Sequence, residues 1–268
     1  MVTDVHVTVW DDRSGGGAAT PALFVHNIFT WGDDPEYGFA GQRPLTADRP
    51  LLLMDRRGYG DSPDTARSDF EVDAEDVVGL LGTGAHLVGH GNGGVVALLA
   101  AARRPDLVRS LALIQPSAFT AATDRPLVAA LLDRVRGLTP TVTDDATPER
   151  FLRESTESVG LPVPEPTPRR LRAVATSMRE RPIWEAEIPL AAIQGAGVPV
   201  LVVCGTWEDA PAAYREHVGL PLIEVAESLT DSLGARLVRM PGYYPHTQRP
   251  ADVNAALREF WGGVTGVS

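Results

Sequence analysis

Short apolar runs separated by stretches of helical periodicity give this chain its plan. Residues 5–11 alternate Val5, Val7 and Val9 with His6, Thr8 and Trp10, the period of a half-buried strand. The runs at 22–26, 51–55, 85–89, 108–115, 198–205 and 235–240 are short, apolar and bounded by Gly or polar residues, which predicts strands buried on both faces. Helical patterns lie between them, over 70–82, 92–104, 211–233 and 250–261, the last announced by Arg249-Pro250-Ala251-Asp252. Strands alternating with helices predict an α/β protein with a mostly parallel sheet covered on both faces. Residues 117–192 break the rhythm. They scatter Pro126, Pro140, Pro148, Pro162, Pro164, Pro166 and Pro168 between helical pieces such as 127–136, and predict a helical lid inserted into a core made of 1–116 and 193–268.

Composition narrows the functions open to this plan. At 268 residues and 44% apolar content the chain can bury a full core as one domain with an insertion. The net charge of −11 argues against nucleic acid and anionic membrane surfaces, both of which need a basic patch. A single cysteine, Cys204, excludes internal disulfides and fits a reducing compartment. With no basic leader and no long apolar run, the expected location is cytoplasmic. All 24 basic residues are arginine, so Schiff-base chemistry, lysine-held pyridoxal phosphate and a P-loop are excluded.

One strand-to-helix junction carries a motif with its reactive position vacant. Residues 87–94 read Leu87-Val88-Gly89-His90-Gly91-Asn92-Gly93-Gly94 and run directly into an apolar helix pattern. In the GxSxG elbow the middle position holds a nucleophilic serine on a strained turn. Here it is Gly91. The same glycines satisfy GxGxxG, but a dinucleotide site also wants an acid about 20 residues on, where this chain has Gln115-Pro116. His86 and His90 would share a metal-binding face only on a helix, and their segment reads as strand. No cofactor or metal is expected.

Five segments in order make the chain resemble the α/β-hydrolase superfamily over nearly its whole length. They are Phe24-Val25-His26-Asn27, the turn from Asp55 to Ser62, the elbow, the strand end from Val203 to Asp209, and residues 242–250 containing His246. The resemblance implies an α/β-hydrolase fold with the lid after the sixth strand, and a nucleophile, acid, histidine order filled by Gly91, Glu208 or its neighbour Asp209, and His246. It also implies a backbone oxyanion hole from the amides of Asn92 and Ile28. Asn27 stands where a glycine is usual and either lends its side-chain amide to the site or caps a turn. Some members carry the acid where this chain has Gln115, which cannot hold the compensating charge, leaving Gln115 for substrate binding or structure. His90 is expected to pack beneath the elbow. Cys204, Ser117 and Thr206 are weak substitutes for the nucleophile, the first because a lone buried cysteine is usually core.

Three readings follow from a hydrolase site without its serine. The leading expectation is an enzyme acting on a small hydrophobic carbonyl compound through His246 as general base, by water attack, elimination, cyclisation or isomerisation, in a biosynthetic step. The second is a serine ester, lactone or thioester hydrolase inactivated by Ser-to-Gly exchange at position 91. The third is a non-catalytic ligand-binding protein on the same fold. The expected partner is a small molecule, with the chain a monomer or homodimer.

Overall fold

The computed structural model describes residues 3–13, 19–136 and 146–265. Seven strands form one sheet in the order β1-β3-β2-β4-β5-β6-β7. They are β1 (Val7–Trp10), β2 (Ala22–Val25), β3 (Leu51–Met54), β4 (Ala85–His90), β5 (Val108–Ile114), β6 (Val200–Gly205) and β7 (Arg236–Met240). Only β1 is antiparallel, pairing Val7 with Met54 and Trp10 with Leu51; the remaining pairs are parallel. Its alternation does not translate into the expected burial, because on this edge strand Val9 is exposed and Trp10 packs against the core.

Each inner strand feeds both cores. On one face Leu23, Val25, Leu87, Leu111, Leu113, Val202 and Cys204 pack with α1 (Phe70–Leu80) and α2 (Asn92–Arg103). On the other, Phe24, Leu53, Val88, Ala112, Ile114 and Val203 meet Phe39, Leu45 and the Val253, Leu257 and Trp261 side chains of α10 (Pro250–Thr265). This two-sided burial is why the strands read as unbroken apolar runs.

The helical insertion follows the fifth of the seven strands, not the sixth, because only β1 precedes the β2–β3 pair at the sheet's edge. Prolines begin its helices rather than merely interrupting them. Pro126 opens α3 (Pro126–Arg136), Pro148 opens α4 (Pro148–Glu157) and Pro168 opens α5 (Pro168–Ser177), the position where a missing N–H costs nothing. Thr147 and Thr167 cap the last two, each accepting a hydrogen bond from a backbone N–H of the first turn. Residue 140 lies outside the described residues. At the far end of the insertion α6 (Leu190–Gly195) packs against α2 and buries Ile193 in the core, so it covers the sheet rather than the site. The single helix expected over 211–233 is divided into α7 (Ala212–Tyr214), a π turn over Arg215–Gly219 and α8 (Leu220–Leu233). The Trp207 ring lies against the Gly219 backbone, and Pro221 removes an amide donor just beyond, which together account for the irregular turn. Among the described residues no helix is long and apolar enough to cross a membrane.

Candidate functional site

The elbow forms where β4 ends and α2 begins. Gly91 has φ 55° and ψ −120°, a conformation that costs any residue with a Cβ about 1–3 kcal/mol. The amide of Gly91 donates to Ile114 O at 3.1 Å and its carbonyl accepts from Ser117 N at 3.0 Å, so the turn is pinned to the end of β5. Gly93 approaches the carbonyls of Val25, the last residue of β2, and of His26 so closely that a Cβ would strike both. That contact brings the start of α2 beside the turn after β2, where the oxyanion donors are expected.

The space over Gly91 belongs to Asn27. A Cβ built on Gly91 falls within the Asn27 carboxamide. The Asn92 amide donates to Asn27 Oδ1 at 2.9 Å. Asn27 thus puts a carbonyl oxygen on the expected oxyanion donor. Ile28 follows in the same turn, half-buried, and Phe29 turns the chain with φ 61° while its amide donates to Ser177 Oγ at 3.3 Å.

The structure does not join His246 to the expected acids. His246 lies in α9 (Pro245–Gln248), 1% exposed, with Nε2 3.2 Å from Tyr37 O and Nδ1 buried without a hydrogen-bond partner. Its ring packs tilted against that of His90, centroids 4.1 Å apart, and 5.6 Å from that of Phe39, which sets it beside the end of β4. Burial pushes its pKa down to about 4, and the same cause holds His90 well below the usual imidazole range. Both rings are therefore neutral at pH 7. Glu208 and Asp209 are exposed at the turn after β6. They point outward because Trp207, with φ 61°, takes the inside of that turn, fully buried against Tyr214 and Tyr243 with ring centroids 5.1 and 6.1 Å away. The interior position an acid would need is filled by an indole.

Gln115 is structural. Its Nε2 donates to Tyr243 O at 2.8 Å and its Oε1 accepts from Gly205 N at 2.9 Å, so both ends of the amide staple the strand ends together. The substitute nucleophiles fare as their burial dictates. Cys204 is in the core with its thiol pushed up to about 12 by desolvation, and the Thr206 hydroxyl is buried without a partner. Ser117 is half-buried, held through its amide to the elbow carbonyl.

On the side of the elbow facing α1 and α5 lies a buried charged cluster that the sequence reading passed over. Arg56 is fully buried and donates through Nη1 to Asp73 at 3.1 Å and to Glu180 Oε1 at 2.7 Å. Glu180, just beyond α5, also accepts from Arg56 Nη2 at 3.3 Å, Tyr59 Oη at 2.5 Å and Asn92 Nδ2 at 3.3 Å. Burial and the nearby Glu180 charge push the Asp73 carboxyl up to about 7 in spite of Arg56. Desolvation raises the Tyr59 phenol well above its usual range. The turn from Asp55 to Ser62 was legible as a motif, and it carries Arg56 and Tyr59. Nothing in the sequence around Glu180 marked it, because its partners are 88 to 124 residues away along the chain.

This elbow, sheet and insertion define a class, and the comparisons with known proteins agree. Residues 16–256 match the model of the alpha/beta hydrolase family, and the chain belongs to that family. Among curated relatives it is similar to the pimeloyl-[acyl-carrier protein] methyl ester esterase of Neisseria meningitidis serogroup C, 39% identical over 117 residues, which are 42% of this chain and 45% of that protein. It is also similar to the sn-1-specific diacylglycerol lipase ABHD11 of Mus musculus, 33% identical over 108 residues, 38% of this chain and 34% of that one. The chain thus spans less than half the length of these relatives. Among solved structures, a bacterial membrane phospholipase A described as a virulence factor superposes with a TM-score of 0.69 at 28% identity, covering 98% of this chain and 84% of that one. The enol-lactonase of Burkholderia xenovorans LB400 shares the fold with a TM-score of 0.58 at 20% identity, over 97% of each chain.

Proposed function

We propose that the protein derives from the ester-hydrolysing members of its family, has lost acyl transfer, and keeps a pocket that binds an acyl carbonyl without forming an acyl-enzyme. The observation that carries this reading is the Asn27 oxygen on the Asn92 amide at 2.9 Å. An amide oxygen is the same kind of acceptor as an ester, thioester or lactone carbonyl, so the surviving donor still favours that group. The esterase and lipase relatives support carbonyl esters as the ligand class. Gly91 supplies no hydroxyl, and His246 has no carboxylate to orient it or stabilise its cation. General-base chemistry at His246 gains no support from a ring that is 1% exposed and turned toward Tyr37 O.

The test pairs labelling, turnover and binding. Wild-type protein treated with an alkyl fluorophosphonate is expected to carry no adduct on residues 89–94 by peptide-mapped mass spectrometry, and to hydrolyse p-nitrophenyl butyrate at background. Gly91→Ser must push Asn27 off the elbow, yet turnover is expected to stay within about tenfold of background, because the new hydroxyl gains no acid-supported base. In the wild type, methyl butyrate is expected to shift the Asn92 amide resonance. A gain of several orders of magnitude in Gly91→Ser would overturn this reading and leave Gly91 as the single lesion in a working serine hydrolase.

A further inference from the structure

The buried cluster beside the elbow is built like an occupied carboxylate site. Glu180 receives Arg56 Nη1 at 2.7 Å, Arg56 Nη2 at 3.3 Å, Tyr59 Oη at 2.5 Å and Asn92 Nδ2 at 3.3 Å, the fork of donors that a carboxylate accepts. The core elements supply every one of these donors, whereas the acceptor comes from the insertion. Arg56 and Tyr59 stand on the turn after β3 and Asn92 opens α2; Glu180 follows α5. The same asparagine therefore holds two internal occupants, a carbonyl oxygen from Asn27 on its amide and a carboxylate from Glu180 on its side chain.

The element that delivers Glu180 buries Ala173 and Val174 and adds a set of polar contacts to the turns after β2 and β3. Arg170 pairs with Asp34, Arg172 donates to Gly60 O at 2.6 Å and Ser62 O at 2.7 Å, Arg169 pairs with Asp61 at 2.8 Å, and Thr176 donates to Gly58 O at 2.7 Å. The Arg169–Asp61 pair is exposed enough to exchange with water and salt, whereas Arg170–Asp34 is buried and anchors the start of α5. We propose that the pocket takes an acyl compound carrying a free carboxylate, whose carboxylate replaces Glu180 against Arg56, Tyr59 and Asn92 while its ester or thioester carbonyl replaces Asn27 on the Asn92 amide. Glu180 and Asn27 are then the pocket's own surrogates for the two ends of that ligand. The carbonyl half rests on the proposed function; the carboxylate half stands on the cluster alone. Charge selects among anions. Exchanging one carboxylate for another leaves the balance of Arg56 and Asp73 unchanged, a neutral group strands a buried guanidinium half-paired, and a phosphate brings surplus charge into a buried site.

The experiment is calorimetric titration of wild type and Glu180→Ala with monomethyl glutarate, dimethyl glutarate and butyrate. The half-ester is expected to bind Glu180→Ala more than about tenfold tighter than it binds wild type, and more than about tenfold tighter than the diester does, since hydrogen bonds to charged groups are the strong ones. Butyrate is expected to bind Glu180→Ala more weakly than the half-ester, and Tyr59→Phe in the Glu180→Ala background to weaken both carboxylates while leaving the diester unchanged. Equal affinity for half-ester and diester, or no binding of the half-ester to either protein, overturns the carboxylate site. If butyrate equals the half-ester, the carboxylate site stands and the carbonyl reading falls. Should Glu180→Ala fail to fold by circular dichroism, Glu180→Gln keeps the side-chain size, and preference for half-ester over diester is read on that variant.

Discussion

The two sides of the elbow solve the problem of burying polar groups in opposite ways. On one side, His90 and His246 pack 4.1 Å apart as neutral, tilted rings, each with Nδ1 unpartnered. On the side facing α1 and α5, the Arg56 guanidinium is held by hydrogen bonds to Asp73 and Glu180, and the neutral Tyr59 and Asn92 side chains donate to Glu180 as well. Desolvation decides the first side, because an imidazolium there would have no counter-charge. Pairing decides the second, because a full guanidinium can be buried only if carboxylates reach it. The side expected to hold catalytic charge is the uncharged one.

The largest expected effect breaks the charged side. Arg56→Met leaves Asp73 and Glu180 facing each other without a cation and should cost about 3–5 kcal/mol of unfolding free energy in urea titrations. A loss below about 1 kcal/mol would mean the cluster is neutral in the folded protein, erasing the contrast.

Acid titration comes next, because the two sides respond with opposite sign. The folded pKa of His246 is depressed from 6.5 to about 4, so its contribution is whole above pH 6.5 and is lost as pH falls toward 4. Between pH 6.5 and 5 that loss is about 2 kcal/mol. Asp73 is raised from 3.8 to about 7, so its contribution is whole below pH 3.8 and is lost as pH rises toward 7. Denaturant midpoints measured across pH 4–7 should therefore flatten on the acid side in His246→Phe and fall more steeply on acidification in Asp73→Asn. If His246→Phe leaves the acid slope intact, the imidazole is not the buried neutral group described.

The smallest effect sharpens the correction at the turn after β6. Glu208→Gln and Asp209→Asn should each change stability by less than about 0.5 kcal/mol, since both side chains are exposed. The His246 ring resonances should titrate identically in wild type and both variants. A shift in that titration would restore one of the acids as a partner.

How much of this was legible depends on the range over which each feature is decided. The alternating 5–11 pattern, the buried strand runs and the proline-led helices are local, and they gave the sheet, its order of elements and the insertion. The elbow was equally local, since Gly89, Gly91, Gly93 and Gly94 are needed for the backbone to turn and approach β2 within a few residues. The site was less legible. His246 and Glu208 sit at plausible places along the chain, but whether two side chains meet depends on which of them the turn points inward, and Trp207 won that place by its apolar area.

The sequence by itself determined the alternating strands and helices, a glycine with no hydroxyl at the elbow, and five ordered segments that resemble the α/β-hydrolase superfamily, because strand period, glycine spacing and residue type are written in order along it. Only the tertiary structure decided that Asn27 fills the vacancy, that His246 packs against His90, and that Glu180 pairs with the buried Arg56. Those contacts join residues 65 to 156 positions apart, and a side chain's partner across such a distance is set by packing and desolvation rather than by any local pattern.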